Sequence, residues 1–175
     1  TLDEACDAIR TLAVRGAPAI GIAAAMALAV VLDPDADQDH DARSARARAV
    51  ADTLRNTRPT AVNLAWALDR MLAVAEGPLR GDVWRSALGR EATAILEEDQ
   101  AMCRRIGEHA LTLFPADARV APHCNAGALA TGGIGTALAG IYLAAARGDR
   151  VRVYVDETRP LLQGSRLTAW ELQRA

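Results

Sequence analysis

The stretch Arg119–Thr136, RVAPHCNAGALATGGIGT, limits the fold most: a short apolar run breaks into a glycine-rich loop carrying one cysteine, and an Ala- and Leu-rich segment continues to Ala146. The run is the length of a strand, about five residues, the loop is a tight connection through Asn125-Ala-Gly127, and the segment beyond it predicts a helix. Gly148 stops that helix, and Val151–Glu157 alternates apolar and polar side chains as a second strand does. Two strands joined through a helix pair in parallel with a right-handed crossover, so this part of the chain predicts the start of a Rossmann-like sheet domain. Loop amides and the positive end of the helix would then face the ground above the first strand, where Cys124 sits. A thiol in that setting favours the thiolate, whereas Cys6 and Cys103, on helical segments, read as small buried apolar residues.

The residues before Pro115 have a different texture. Leu2–Leu12 shows helical spacing, and Val14-Arg15-Gly16-Ala17-Pro18 interrupts it, with Gly16 free to take an unusual backbone angle and Pro18 suited to a helix first turn. From Pro18 to Leu32 the chain is apolar all round, which predicts a buried core helix, being shorter than the roughly 20 residues of a membrane span. Asp33–Asp41 is a polar loop, Arg43–Asn56 an Arg-rich surface helix, and Thr57-Arg58-Pro59 its stop. Ala61–Ala75 and a long helix capped by Asp82 complete the set; Glu97-Glu98-Asp99 on that last helix reads as a solvated face. The domain boundary is therefore expected near Pro115, with a helical domain over 1–114 and the first part of the α/β domain over 115–175.

The 175 residues, 51% hydrophobic and 24% charged, can bury a real core. A net charge of -2 and 3% aromatic residues leave no electrostatic or stacking footprint for nucleic acid. Every basic residue apart from histidine is Arg, so any phosphate site here must use guanidinium groups and backbone amides. Three cysteines without a Cys-x-x-Cys pair fit a reducing cytoplasm, and His123 beside Cys124 on an extended segment does not form a metal-ligand pair. A chain that begins at Thr1 without a leader, and ends two strands into a sheet, reads as a piece of a longer protein. Gly133-Ile-Gly135 followed by Asp156 imitates a dinucleotide fingerprint, but Leu138 stands where its third small residue belongs; Gly127–Gly132 has P-loop spacing without the Lys-Ser/Thr.

Four segments carry a resemblance: Val14–Gly21 (VRGAPAIG), Thr57–Leu64 (TRPTAVNL), His123–Thr131 (HCNAGALAT) and Asp156–Leu172 (DETRPLLQGSRLTAWEL). In this order they resemble the methylthioribose-1-phosphate isomerase family, which shares its fold with ribose-1,5-bisphosphate isomerase and with the regulatory subunits of a translation-initiation exchange factor. The resemblance implies a cytoplasmic, homodimeric aldose–ketose isomerase of methionine salvage, acting on a small sugar phosphate without metal or cofactor, membrane or nucleic acid. It implies that Cys124 is one of two proton-transfer groups, that Arg15, Gly16 and Ala17 cradle the phosphate, and that Arg58 and Gln163 add hydrogen bonds to it. The second group, an aspartate, and an Asn-Lys pair lie further along the family's pattern than Ala175, so this chain by itself is expected to be inactive. The alternatives are a non-catalytic regulatory or assembly module of the same fold, the related bisphosphate isomerase and, on the imitated fingerprint, a nicotinamide-dependent oxidoreductase.

Overall fold

A computed structural model describes residues 1–174, which form two compact units, one over Thr1–Glu97 and one from Glu98 onward. The division falls inside a long helix, upstream of residue 115, where the texture of the sequence changes. In the first unit the helices are α1 (Leu2–Arg10), α2 (Ala17–Leu32), α3 (His40–Arg55), α4 (Val62–Ala75) and the opening part of α5 (Gly81–Leu111). Local chemistry sets their ends. Thr1 and Glu4 form a reciprocal capping box on α1, and Asp39 caps α3 by accepting from the Ala42 amide at 2.9 Å. Asp82, expected as a cap, lies in the first turn of α5 instead, where its charge favours the helix dipole and pairs with Arg85.

The core of this unit is one cluster that includes Ile9, Leu28, Leu54, Leu64, Leu68, Met71, Trp84, Leu88 and Ile95. Helix α2 lies against α1, α3 and α4, and Gly21 lets it approach α4 so closely that a Cβ there would sit 2.7 Å from the Asn63 carbonyl oxygen. Burial of α2 is one-sided: Ala24, Ala25, Leu28 and Leu32 are inside, while Val30 is 71% exposed. Uniform apolarity hides which face has neighbours, so the expectation of a wholly buried helix holds for one face only.

Helix α3 departs further from its expected surface character, because Arg43 is fully buried. Its guanidinium lies 4.7 Å from the centroid of the Trp84 ring, and Nη2 donates to the Leu79 carbonyl at 2.9 Å. Trp84 in turn donates from Nε1 to the Ala75 carbonyl at 2.9 Å, so both large polar-tipped side chains satisfy a carbonyl at the end of α4 or just after it.

In the second unit, β1 (Ala118–Val120) and β2 (Val151–Val153) pair in parallel, Ala118 opposite Val151 and Val120 opposite Val153. The parallel pairing expected from the strand–loop–helix–strand order is present, with both strands shorter than their apolar patterns. Helix α6 (Ala139–Ala146) precedes β2, and Gly140 packs so near α5 that a Cβ would lie 2.7 Å from that of Ala110. After β2 the chain is irregular until a π-helical turn, Gly164–Thr168, which runs into α7 (Ala169–Leu172).

Candidate active site

Between β1 and α6 the chain makes a long loop rather than the short turn expected, with only a 3-10 turn at Ala128–Ala130, so α6 starts well beyond Cys124. The loop is closed on itself. Thr136 N donates to the Ala126 carbonyl at 2.9 Å, and Gly135, at φ +87°, lies on the backbone of Ala126 and Gly127, where any Cβ would be 2.4 Å from the Gly127 Cα. Gly133 and Gly135 donate their amides to Thr131 Oγ1 at 3.2 and 3.1 Å, and Gly132 donates to Asp99 Oδ2 at 2.7 Å. The glycine amides that would have cradled a pyrophosphate are thus engaged within the chain, and Leu138 is fully buried, so the dinucleotide imitation is a device for folding a loop. Asp99 is buried for the same reason, unlike exposed Glu97 and Glu98, and is not part of a solvated face.

Cys124 stands at the start of this loop in the left-handed region, φ +58°, and is partly exposed. For a residue with a Cβ that conformation costs about 1–2 kcal/mol, and such residues persist where their surroundings over-determine them. Two contacts do so. Thr168 Oγ1 donates to the Cys124 carbonyl at 2.7 Å, and the Cys124 thiol donates to Gln163 Oε1 at 3.0 Å. Gln163 is itself placed by Gly164, whose amide donates to the Glu157 carbonyl at 3.2 Å and whose missing Cβ leaves room for the Asp156 carbonyl. The expected proton-transfer residue and an expected substrate-binding residue, distant in sequence, therefore meet. An amide carries both an acceptor and a donor, so Gln163 can face either a thiol or, turned over, a thiolate.

Behind the thiol, Asn125 is buried and donates from Nδ2 to Thr168 Oγ1 at 3.0 Å and to Glu171 Oε1 at 2.6 Å. Glu171, also buried, accepts the Leu129 amide on Oε2 at 3.3 Å. Burial pushes the Tyr142 hydroxyl well above its ordinary range, and the neighbouring Glu171 charge and hydrogen bond push it further. Thr168 and Glu171 had no role in the sequence reading beyond their place in the Asp156–Leu172 motif, and their spacing on one helical turn was the available signal. The other two cysteines are buried, and desolvation raises both thiols; the Asp99 charge adds to the effect at Cys103.

The remaining expected residues lie in the first unit. Gly16 is the N-cap of α2 at φ +92°, with Pro18 in the first turn and no side chain capping it; Arg15 beside it is partly buried. Arg58 is half-buried in the α3–α4 turn, which buried Thr57 fastens by donating to the Leu54 carbonyl at 2.6 Å and which the Ala61 amide closes onto the Arg58 carbonyl at 3.0 Å.

Residues 13–175 match the model of the initiation factor 2 subunit family, and the chain belongs to that family. Within it, the chain is 56% identical over 174 residues to methylthioribose-1-phosphate isomerase of Gemmatimonas aurantiaca, covering 99% of this chain and 50% of that protein. The crystal structure of 5-methylthioribose 1-phosphate isomerase from Pyrococcus horikoshii OT3 superimposes with a TM-score of 0.88 at 36% identity, over 99% of this chain and 49% of that one. That of the translation initiation factor eIF-2B delta subunit from A. fulgidus gives 0.87 at 41% identity, over 99% and 51%. The chain spans about half the length of the curated relatives it matches.

Proposed function

We propose that this chain is part of an aldose–ketose isomerase converting 5-methylthioribose 1-phosphate to 5-methylthioribulose 1-phosphate in methionine salvage, with Cys124 as one proton-transfer group. The observation that carries this is the partly exposed Cys124 thiol in a left-handed, doubly held conformation against Gln163, a placement a merely structural cysteine does not need. It favours the isomerase reading over the regulatory-module reading, which the similarity to the translation factor subunit would support. The relatives named as isomerases favour the methylthioribose substrate over the bisphosphate.

The reaction needs no external oxidant. Protonation of the ring oxygen breaks its bond to C1, the hydrogen on C2 passes to C1, and the C2 hydroxyl gives up its proton as it becomes the ketone, so C2 is oxidised as C1 is reduced and the proton taken up is returned. Two groups of different acidity serve these transfers. In this reading the phosphate is held by Arg15 with the backbone at Gly16 and Ala17, and by Arg58, through charge-assisted bonds and a helix start. Gln163, expected to reach the phosphate, is held at the thiol, from which its amide can orient both Cys124 and the substrate. The helical segment 1–114, the α/β segment 115–175, a cytoplasmic location and a homodimeric assembly complete the proposal.

The test uses the complete gene product and purified 5-methylthioribose 1-phosphate. Cys124→Ser is expected to lower kcat by roughly 10²–10⁴-fold with KM nearly unchanged, the usual worth of a positioned acid or base. Near-normal turnover in that variant, or wild-type protein that binds NAD and ignores the sugar phosphate, overturns the reading.

A further inference from the structure

We infer that Thr168 and Glu171 are positioning residues for Cys124: together with Asn125 they form a buried brace that holds the cysteine backbone in its left-handed conformation. The inference rests on the assignment of Cys124 as a proton-transfer group. Three features of the brace point to it. Thr168 is fully buried and uses its hydroxyl twice, donating to the Cys124 carbonyl at 2.7 Å and accepting from Asn125 Nδ2 at 3.0 Å. A hydroxyl does both at one atom, so the side chain next to Cys124 and the carbonyl of Cys124 are tied to the same oxygen. Glu171 then takes the second Asn125 proton on Oε1 and the Leu129 amide on Oε2, bridging the two sides of the loop with one carboxylate.

The third feature is Gly127. Its missing Cβ is the space into which the carboxylate fits, since a methyl there would lie 1.9 Å from Glu171 Oε1. The loop is therefore shaped around a buried carboxylate, and the same short segment, Gly164–Leu172, that presents Gln163 to the thiol also supplies Thr168 and Glu171 behind it. Helix fragment and cysteine loop form one clamp: the front contact sets the thiol's partner, and the rear contacts set where the thiol is. Losing the rear contacts releases Cys124 toward ordinary backbone angles, which moves Sγ relative to Gln163.

The experiment compares Thr168→Val and Thr168→Ser in the complete gene product, with kcat and KM measured on 5-methylthioribose 1-phosphate well below the melting temperature. Valine keeps the shape and removes the hydroxyl; serine keeps the hydroxyl. The expected result is a roughly 10–100-fold fall in kcat for Thr168→Val with KM within about twofold, and recovery in Thr168→Ser, because displacing a reacting group by about an ångström has effects of that size. The rate of Cys124 alkylation by iodoacetamide is expected to change in Thr168→Val and return in Thr168→Ser. A folded Thr168→Val protein with wild-type kcat and alkylation rate overturns the inference. If valine prevents folding, Glu171→Gln takes its place: it keeps the shape and replaces one accepting oxygen by a donor, with the same split of kcat and KM expected and wild-type kinetics overturning the inference. Normal activity in Cys124→Ser sinks the underlying assignment, whereas an inactive Cys124→Ser beside a normal Thr168→Val sinks only the brace.

Discussion

Gly127→Ala is the perturbation whose magnitude the structure defines best. The added methyl would lie 1.9 Å from Glu171 Oε1 and 2.4 Å from its Cδ, well inside any permitted contact, so the carboxylate must move. Moving it breaks the 2.6 Å bond from Asn125 and the 3.3 Å bond from the Leu129 amide. Hydrogen bonds to a charged group contribute about 1.5–3 kcal/mol each, and overpacking adds about 1–3 kcal/mol; partial relaxation of Glu171 reduces the sum, so a loss of about 3–5 kcal/mol is expected. Gly89→Ala is the matched control. That glycine is exposed within α5 with nothing within 4 Å of an added Cβ, and there the change should stabilise by about 0.5–1 kcal/mol through helix propensity. Urea unfolding of both variants and the wild type, followed by circular dichroism, measures the two shifts. A Gly127→Ala loss below about 1 kcal/mol would refute the account of the loop as built around the carboxylate.

Arg43→Lys, conservative in charge, should destabilise by about 2–4 kcal/mol, since an ammonium cannot lie flat on Trp84 while donating to the Leu79 carbonyl; Arg46→Lys, on the exposed side of the same helix, should change the urea midpoint hardly at all. Stability should be flat between pH 7 and about pH 8 and fall above that. Cys6, Cys103 and Tyr142 stay protonated in the fold beyond their ordinary values of 9.0, 9.0 and 10.0, so the unfolded chain loses those protons first and stability falls as pH rises, with about 1.4 kcal/mol per pH unit as the upper limit for each group. Urea midpoints between pH 7 and 10.5 check the sign, and a midpoint that rises with pH contradicts it. At pH 8 iodoacetamide should label Cys124 well before Cys6 and Cys103, read by peptide mass spectrometry, because the latter two are buried with raised thiols.

Much of the organisation was legible locally. The helix ends at Gly16-Ala-Pro18 and Thr57-Arg-Pro59, and the parallel pairing of the two short strands, follow from turn residues and from periodicities spanning only a few neighbours. The motif around Cys124 likewise marked the loop that carries the candidate chemistry. Which residues meet across the chain was not legible, because it depends on long-range packing and not on spacing. Arg43 and Asp99 look like solvated charges in any window of their sequence, and they are buried because Trp84 and the Gly132 amide arrive from elsewhere in the chain. The helix expected from just after Gly127 to Ala146 begins only at Ala139, because the Gly135 backbone and the Glu171 carboxylate occupy the space that ordinary side chains would need before it. By itself the sequence determined the order of helices and strands and marked the loop that bears the thiol. Only the tertiary structure decided that Gln163, Thr168 and Glu171 surround that loop, because a hydrogen-bond network is specified by distances between segments, and those distances exist only after both segments have packed.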